Sequence, residues 1–506
     1  MMTVKKSISG YSIRSLLDGY VDSSSIPDII VNGLSTDSRK IKPGYMFVIQ
    51  TITGQSNVAF INDAVRNGAI AIIADVDLLP DTFLCPLPIV RIKNLNKKIG
   101  EIASRFYGNP SGRMSVVGIT GTNGKSTVSH LLAQSLTDPE RGECGLIGTL
   151  GYGSFGCLTP GPNTTPEPVT LQSLLAQMYC ENIRQTVIEV SSHGLDQYRV
   201  AGVKFDMAVL TNMSRDHLDY HNTFENYAVA KQRLFTEYPI NKAVVNIDDQ
   251  FGLGLIKKLP ATIKSIGYTL GENRRIEFSD GLLVVSGTIR NISLGEMTMD
   301  VDSPWGAGLL TTKLFGRFNA YNLLSTLSAL CLFGIRFEDA IRRLSQCKNI
   351  SGRMECFITG KSPCVVVDYA HTPDALEQVL SVLRSICTGK LFCVFGCGGD
   401  RDKGKRPEMG TIVNRYADSI FLTSDNPRYE NPDIIIQDIT KGISRNTSIT
   451  IEPDRESAIR NAIISASSAD IILVAGKGHE DYQEISGIRK PFSDQKIIAD
   501  CLEQYQ

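Results

Sequence analysis

The sequence predicts an α/β protein of three domains, and three observations carry that prediction. Its 506 residues exceed what one hydrophobic core can serve. Short apolar runs alternate with helical patterns along most of the chain. Two polar, glycine-containing stretches, Tyr107–Gly112 and Cys347–Gly352, interrupt that alternation and read as linkers. The expected divisions are therefore 1–111, 112–350 and 351–506.

In the first division, Met46-Phe47-Val48-Ile49, Ile70-Ala71-Ile72-Ile73 and Pro88-Ile89-Val90-Arg91-Ile92 are strand-like runs separated by helical patterns. The second opens with Met114-Ser115-Val116-Val117, a buried strand by composition. It continues through Gly118-Ile119-Thr120-Gly121-Thr122-Asn123-Gly124-Lys125-Ser126-Thr127 into a helix whose apolar face is Val128, Leu131, Leu132 and Leu136. Strand, glycine turn and helix form the context a phosphate loop requires. Glycines let backbone N–H groups close around phosphates, and the helix N-terminus favours negative charge. Lys125 can reach the terminal phosphates, and Ser126 or Thr127 can ligate Mg²⁺. The strict spacing would put a glycine at Ile119, whereas Gly118 stands one residue early. An ordinary glycine turn is the alternative; the complete Gly-Lys-Ser-Thr run favours a nucleoside triphosphate.

The third division is a series of apolar strands, each followed by a loop of functional side chains. Cys364–Val367 precedes Asp368-Tyr369-Ala370-His371-Thr372-Pro373, and Leu391–Phe395 precedes Gly396-Cys397-Gly398-Gly399-Asp400-Arg401. Ile420–Thr423 precedes Asp425-Asn426-Pro427-Arg428, and Ile471–Ala475 precedes Gly476-Lys477-Gly478-His479-Glu480. With helical patterns at 373–386 and 456–467, this predicts a doubly wound sheet whose four loops gather at the strands' carboxyl ends.

Composition excludes several function classes. A 42% hydrophobic, 21% charged chain of net charge −1 has no global basic field to recruit nucleic acid or an anionic membrane. No apolar run approaches the about 18 residues of a membrane span, and Met1–Lys6 leads into polar sequence unlike a signal peptide. The 12 cysteines form no CxxC pair, and Cys331, Cys364 and Cys393 sit inside apolar runs. Reduced core thiols and a cytoplasmic setting are expected.

A metal and lysine constellation lies in the middle division. Glu189 ends one apolar run, and His217 follows another; beside a phosphate loop the two could complete Mg²⁺ coordination. His217 and His221 have zinc-like helical spacing, but no third ligand follows, and His193 reads as a structural hydrogen-bonding residue. Lys231 shares a helical stripe with Phe224, Tyr227, Ala228, Leu234 and Phe235. Two readings stand: a stem passing apolar neighbours to place its ammonium in water, or a desolvated amine that adds CO₂ to become a metal-binding carbamate.

Taken together, Gly121–Thr127, Glu189-Val190-Ser191-Ser192-His193, Arg215-Asp216-His217-Leu218-Asp219, Lys231 and Asp368–Pro373 resemble the Mur ligases, the ATP-dependent amino-acid-adding enzymes of peptidoglycan synthesis. The resemblance spans essentially the whole chain with the motifs in family order. It implies an N-terminal α/β UDP-binding domain, a central P-loop ATPase-like parallel sheet and a C-terminal Rossmann-like domain. With Thr36-Asp37-Ser38-Arg39 and Asn163-Thr164-Thr165-Pro166, it implies UDP-N-acetylmuramoyl-L-alanyl-D-glutamate as acceptor, ATP as co-substrate and Mg²⁺. Thr36, Ser38 and the segment near Gly54-Gln55 would contact the uridine end, where Gln50-Thr51-Ile52-Thr53 is longer than the family pattern. Asn163, Thr164, Thr165, Ser191, Gln197 and Arg199 would hold the muramoyl dipeptide. Gly121, Thr122, Asn123, Gly124, Lys125, Ser126 and Thr127 would cradle ATP, with Asn319, Arg353 and His371 around adenine and ribose. Ser126, Glu189, His217 and Lys231 as N6-carboxylysine would organise the metal, and Lys125, Glu189, His217 and Lys231 would be catalytic.

Arg401, Asp425, Asn426, Pro427, Arg428, Gly476 and Glu480 would bind the incoming amino acid. The resemblance implies meso-2,6-diaminopimelate for that role, because lysine-adding relatives lack the arginine of Asp-Asn-Pro-Arg. Diaminopimelate carries a carboxylate that lysine lacks, and a guanidinium can pair with it in bidentate fashion. The implied chemistry is transfer of the γ-phosphoryl group to the terminal D-glutamyl carboxylate, then attack of an amine on the acyl phosphate, with the second and third domains closing together. Competing readings are a lysine-adding homologue, a folylpolyglutamate-synthetase-like ligase, a nucleotide-driven mechanical ATPase and a non-catalytic scaffold.

Overall fold

The computed structural model describes residues 10–22, 26–49, 57–79, 83–138, 142–271, 282–359, 362–444 and 448–503. The sequence readings at Met1–Lys6, Gln50–Thr53 and Gly54-Gln55 lie outside the described residues. The chain forms two compact units. One comprises Met1–Thr120, Leu136–Ala208 and Ala230–Ala243; the other comprises Gly121–Ser135, Val209–Val229 and Val244–Gln506.

The first unit begins with a four-stranded parallel sheet in the order Gly33–Ser35, Tyr45–Ile49, Ala69–Asp75, Ile89–Ile92. Its strands are apolar on both faces because both are covered, as parallel sheets require. Met46, Val48, Ala71 and Ile73 pack with Ile99, Ile102 and Phe106 of the helix Leu95–Phe106. The alternate residues Phe47, Ile49, Ile72 and Ala74 pack with Ile61 and Ala64 of the helix Asn57–Arg66. The unit also holds Gln185–Glu189 between Ser115–Thr120 and Cys144–Gly148, all parallel, with antiparallel strands Gly151–Ser154 and Cys157–Thr159 beyond.

The second unit contains Lys264–Thr269 parallel to Leu283–Ser293, extended by antiparallel Glu296–Ser303 and Gly306–Thr312. It also contains a six-stranded sheet in the order Glu355–Phe357, Cys364–Asp368, Ile471–Ala475, Leu391–Phe395, Ser419–Leu422, Ser448–Ile451. All but the first strand of that sheet run parallel, so their carboxyl ends share one edge. Insertion of Ile471–Ala475 between Cys364–Asp368 and Leu391–Phe395 makes the chain reverse its winding there, the position at which such sheets bind ligands. The helix Pro373–Ile386 starts where the sequence indicates. Thr372 Oγ1 accepts from the Ala375 N–H at 3.3 Å, Pro373 occupies the first turn, and Leu376, Val379, Leu380 and Leu383 form its buried stripe.

All 12 cysteines are free thiols, and Cys331, Cys364 and Cys393 are buried as expected. Among the described residues no helix is long and apolar enough to cross a membrane.

Candidate active site

The strand Ser115–Thr120 runs three residues further than the sequence suggested, which reassigns Gly118. That glycine is not part of the phosphate loop. A Cβ there would meet Phe205 at 2.8 Å and Leu234 at 3.2 Å, so it is a strand glycine making room for side chains from distant segments. The loop's own glycines are Gly121, at φ +146°, and Gly124, at φ +83°. Both also lie against neighbours, Thr211 Oγ1 and Asn322 Oδ1, that a Cβ would displace.

Asn212 and its neighbours hold the loop open. The Thr122 N–H donates to Asn212 O and the Asn123 N–H to Asn212 Oδ1, each at 2.9 Å, while Thr211 Oγ1 donates to Asn123 O at 2.6 Å. Lys125 Nζ bridges Gly121 O at 2.9 Å and Thr122 O at 2.8 Å, which puts its charge at the mouth of the loop. Ser126 and Thr127 fill the first turn of the helix Lys125–Leu136, whose first turn carries no acidic residue. Arg353 Nη2 lies 3.4 Å from Ser126 Oγ, and its guanidinium stacks 4.6 Å from the Tyr369 ring. Arg353 Nε is buried with no hydrogen-bond partner among the described residues. A buried cationic donor left unpaired beside a helix N-terminus fits a polyphosphate, and the Ser126 hydroxyl is a suitable oxygen donor for its Mg²⁺. Asn319 spends its amide on Phe315 O and Asn322; it is Asn322 that backs Gly124.

The loop is fastened to the start of the helix that follows His371. Asn123 Nδ2 donates to Asp374 Oδ2 at 2.7 Å, and Ser214 Oγ donates to the same oxygen at 3.2 Å. Beside this junction a cavity of about 190 Å³ is lined by Arg215, Asp216, Asp374, Lys405 and Glu408 among others. Burial opposes ionisation of Asp216, but the charges of His217, His371 and Lys405 outweigh it and hold its carboxyl below the ordinary range. Burial, and then the charge of Lys405, push the His371 imidazole below its ordinary pKa against the opposing pull of Asp216. Lys405 Nζ donates to His371 O at 3.0 Å, and His371 Nδ1 lies 2.8 Å from Tyr369 O. His217 adopts a left-handed φ of +54° and leans on Asp216, with Nε2 3.4 Å from Oδ2.

In the first unit Thr164, Thr165, Ser191, Gln197 and Arg199, five of the residues assigned to the muramoyl dipeptide, share one hydrogen-bonded network with Glu189. Glu189, fully buried, accepts from Thr149 N at 3.1 Å and Thr149 Oγ1 at 3.0 Å. Only a glycine fits at Gly148, because a Cβ would stand 2.2 Å from Glu189 Oε1. Thr149 Oγ1 lies 3.0 Å from Thr164 Oγ1, and Thr165 Oγ1 contacts both Glu189 O and Ser191 Oγ. Arg199 Nη1 donates to Thr165 O at 2.8 Å and its Nε and Nη2 donate to Gln197 Oε1. Asn163 is bound through its backbone to Tyr152 Oη. Thr36 and buried Ser38 flank Asp37, which caps its own turn by accepting from Arg39 N. Lys231 is 1% exposed, and Tyr227, Leu234 and Phe235 of its predicted stripe are buried as well. Phe224 departs from that stripe at 39% exposed: it opens the helix Phe224–Thr236, and periodicity fixes its direction but not what covers the end.

At the carboxyl edge of the six-stranded sheet the four loops do converge. A Cβ on Gly476 (φ +114°) would lie 2.4 Å from Asp425 Oδ2, and one on Gly399 would lie 2.0 Å from Pro427 O. Asn426 Nδ2 donates to Glu480 Oε2 at 2.7 Å. Arg428, also at left-handed φ (+54°), donates from Nη1 to Gly399 O at 2.6 Å, and its backbone is stitched to Glu484 and Ser486. Arg401 is exposed on the neighbouring loop.

Three residues essential to this arrangement were not singled out by sequence. Lys477 is fully buried and donates to Asn426 Oδ1 at 3.1 Å and Glu480 Oε2 at 3.0 Å. Asp374 receives the phosphate loop, and Asn212 shapes it. Lys477 lies inside the Gly476–Glu480 loop, so a lysine bracketed by glycines at a strand end was the available signal.

Two family models match the chain: the Mur ligase middle domain over residues 119–330, and the Mur ligase, glutamate ligase domain over residues 352–478. A protein of Coxiella burnetii (strain RSA 493 / Nine Mile phase I) is 43% identical over 487 residues, 96% of this chain and 98% of its own. Its name is UDP-N-acetylmuramoyl-L-alanyl-D-glutamate--2,6-diaminopimelate ligase. A solved structure of a ligase of the same name is 34% identical with a TM-score of 0.70, covering 98% of this chain and all (100%) of that one. The fold is shared further with a MurF ligase from Thermotoga maritima in complex with ADP, at 19% identity and a TM-score of 0.63 over 93% of this chain and 97% of that one.

Proposed function

The chain belongs to the Mur ligase family, and from that premise we propose that it is the ATP-dependent ligase that joins meso-2,6-diaminopimelate to UDP-N-acetylmuramoyl-L-alanyl-D-glutamate. The observation that carries the reading lies within the second unit. The phosphate loop and the Asp-Asn-Pro-Arg cluster belong to one packed body, tied by Asn123 to Asp374 and by Ser126 to Arg353.

The chemistry follows from the groups present. A carboxylate is a poor electrophile, so the D-glutamyl terminal carboxylate first takes the γ-phosphoryl group, and the acyl phosphate is then attacked by the diaminopimelate amine. The tetrahedral adduct expels phosphate and leaves an amide. Negative charge spreads over phosphoryl oxygens during transfer, so the contribution of Lys125, Arg353 and the loop amides is positioning and charge stabilisation. Mg²⁺, held by Ser126, Glu189, His217 and Lys231 as its carbamate, would neutralise charge on the phosphates. Burial of Lys231 favours the neutral amine that carbamate formation needs. Thr164, Thr165, Ser191, Gln197 and Arg199 orient the muramoyl dipeptide. Arg401 and Arg428 take the carboxylates of the incoming amino acid, and Asn426 and Glu480 hold an amine. The free thiols suit a cytoplasmic protein.

The decisive experiment follows ADP release with each substrate omitted in turn. ATP turnover that needs both the nucleotide dipeptide and diaminopimelate is expected. Equal turnover with neither acceptor nor amino acid would point to a mechanical ATPase.

A further inference from the structure

The Asp-Asn-Pro-Arg cluster continues through Tyr429 to Glu430, a residue with no task in the chemistry above. Its carboxylate is bonded to the loop and helix start that follow Leu391–Phe395. Oε1 accepts from the Asp400 backbone N–H at 2.5 Å and from Arg406 Nη2 at 2.9 Å, and Oε2 faces Lys403 Nζ at 3.3 Å. All three donors belong to the loop and helix start that carry Arg401. The connection is returned from the other side. Asp400 Oδ2 accepts from the Tyr429 N–H at 3.2 Å, the Gly399 N–H donates to Asn426 O at 3.0 Å, and Arg428 Nη1 donates to Gly399 O.

This junction is built under strain and with buried charge. Asp400 (φ +52°) and Arg428 (φ +54°) both occupy the left-handed region, which non-glycine residues hold only when their surroundings compel it. Arg406 has no exposed surface and divides its guanidinium between Glu430 and Asp438. The Arg406 bond, aided by the Asp400 N–H, keeps Glu430 ionised down to a pKa of about 2. A charged clamp that persists through neutral pH thus sits between the two loops whose arginines would meet carboxylates.

We propose that Glu430 is a positioning residue that fixes the spacing of Arg401 and Arg428, and so sets the preference for an incoming amino acid with two carboxylates over one with a single carboxylate. The inference rests on the function proposed above. Two guanidiniums at a set separation read two carboxylates together, and loosening either loop costs the dicarboxylate more than it costs a monocarboxylate.

The test compares the full-length protein with Glu430→Gln and Lys403→Met variants in steady-state assays varying diaminopimelate, lysine and ATP separately. Glu430→Gln is expected to raise KM for diaminopimelate by about tenfold or more, with kcat and KM for ATP within about twofold. Lys403→Met, whose side chain is mostly exposed and whose loss does not threaten the fold, is expected to raise the same KM by about threefold. The split matters, because a merely structural role would lower kcat or move all the KM values together. An unchanged KM for diaminopimelate in folded Glu430→Gln, or a matching rise in KM for ATP, overturns the proposal. Should Glu430→Gln fail to fold, Lys403→Met decides by the same criterion. Wild-type protein that makes no diaminopimelate-dependent product would instead defeat the functional reading, which separates the two failures.

Discussion

Replacing Lys477 with methionine tests how the amino-acid cluster is braced. The ammonium is fully buried and makes two charge-assisted bonds, to Asn426 Oδ1 and Glu480 Oε2. Each such bond is worth about 1.5–3 kcal/mol net. Three features reduce the loss. Methionine refills the stem's volume, the cost of burying an ammonium disappears, and Glu480, at 16% side-chain exposure, can recover water. Asn426 also keeps its bonds to Glu480 Oε2 at 2.7 Å and from the Glu484 N–H at 2.9 Å. The residual loss is about 2 kcal/mol, which corresponds to a melting point lower by about 4–8 °C. Carried into substrate positioning, the same about 2 kcal/mol is roughly 30-fold in KM for diaminopimelate. Thermal melts and steady-state kinetics on one preparation measure both. A melting point that falls as expected while KM for diaminopimelate stays within about twofold would show that Lys477 supports the fold and not the site.

Asp494→Asn leaves the Arg455 guanidinium uncompensated where both side chains are at 0% exposure and 2.8 Å apart, so urea unfolding should show a loss of about 3–5 kcal/mol. The double variant Arg455→Met with Asp494→Leu should recover most of that loss, because it removes both buried charges together. Burial, with Arg353, His130 and Lys477 nearby, depresses His479 to a pKa of about 3 against an ordinary value near 6.5. The unfolded chain therefore binds this proton first, and the associated stability, present above pH about 6.5, is lost as pH falls toward about 3. His479→Gln should flatten the decline measured by urea titration between those limits; an unchanged slope would remove His479 from the account. Asp374→Ala cuts the bonds from Asn123 and Ser214, and should raise KM for ATP by about tenfold while leaving KM for diaminopimelate nearly unchanged in the same assay.

Local chemistry made much of this site legible in sequence. Gly121 and Gly124 take positive φ where a phosphate loop needs them, and Thr372-Pro373 opens a helix by capping rules that involve only its own turn. The four polar loops meet because parallel strands put all their carboxyl ends on one edge, which apolar runs reveal. What stayed hidden depends on partners far along the chain. Gly118 reads as part of a glycine loop until Phe205 and Leu234 are seen against it. Asp374 and Glu430 look like ordinary surface charges and Lys477 like one more member of a polar loop, since their roles are set by Asn123, Arg406 and Asn426, each at least 24 residues away. Phe224 errs in the opposite direction, because a helical stripe gives orientation and not depth.

The most direct measurement is the mass of the nucleotide product after incubation with ATP, Mg²⁺ and UDP-N-acetylmuramoyl-L-alanyl-D-glutamate, with diaminopimelate and lysine supplied in separate reactions. An amide-linked tripeptide with diaminopimelate, formed one-for-one with ADP, and negligible product with lysine are expected. Product with lysine alone would contradict the role given to Arg428, and ADP without any amide would contradict ligation itself.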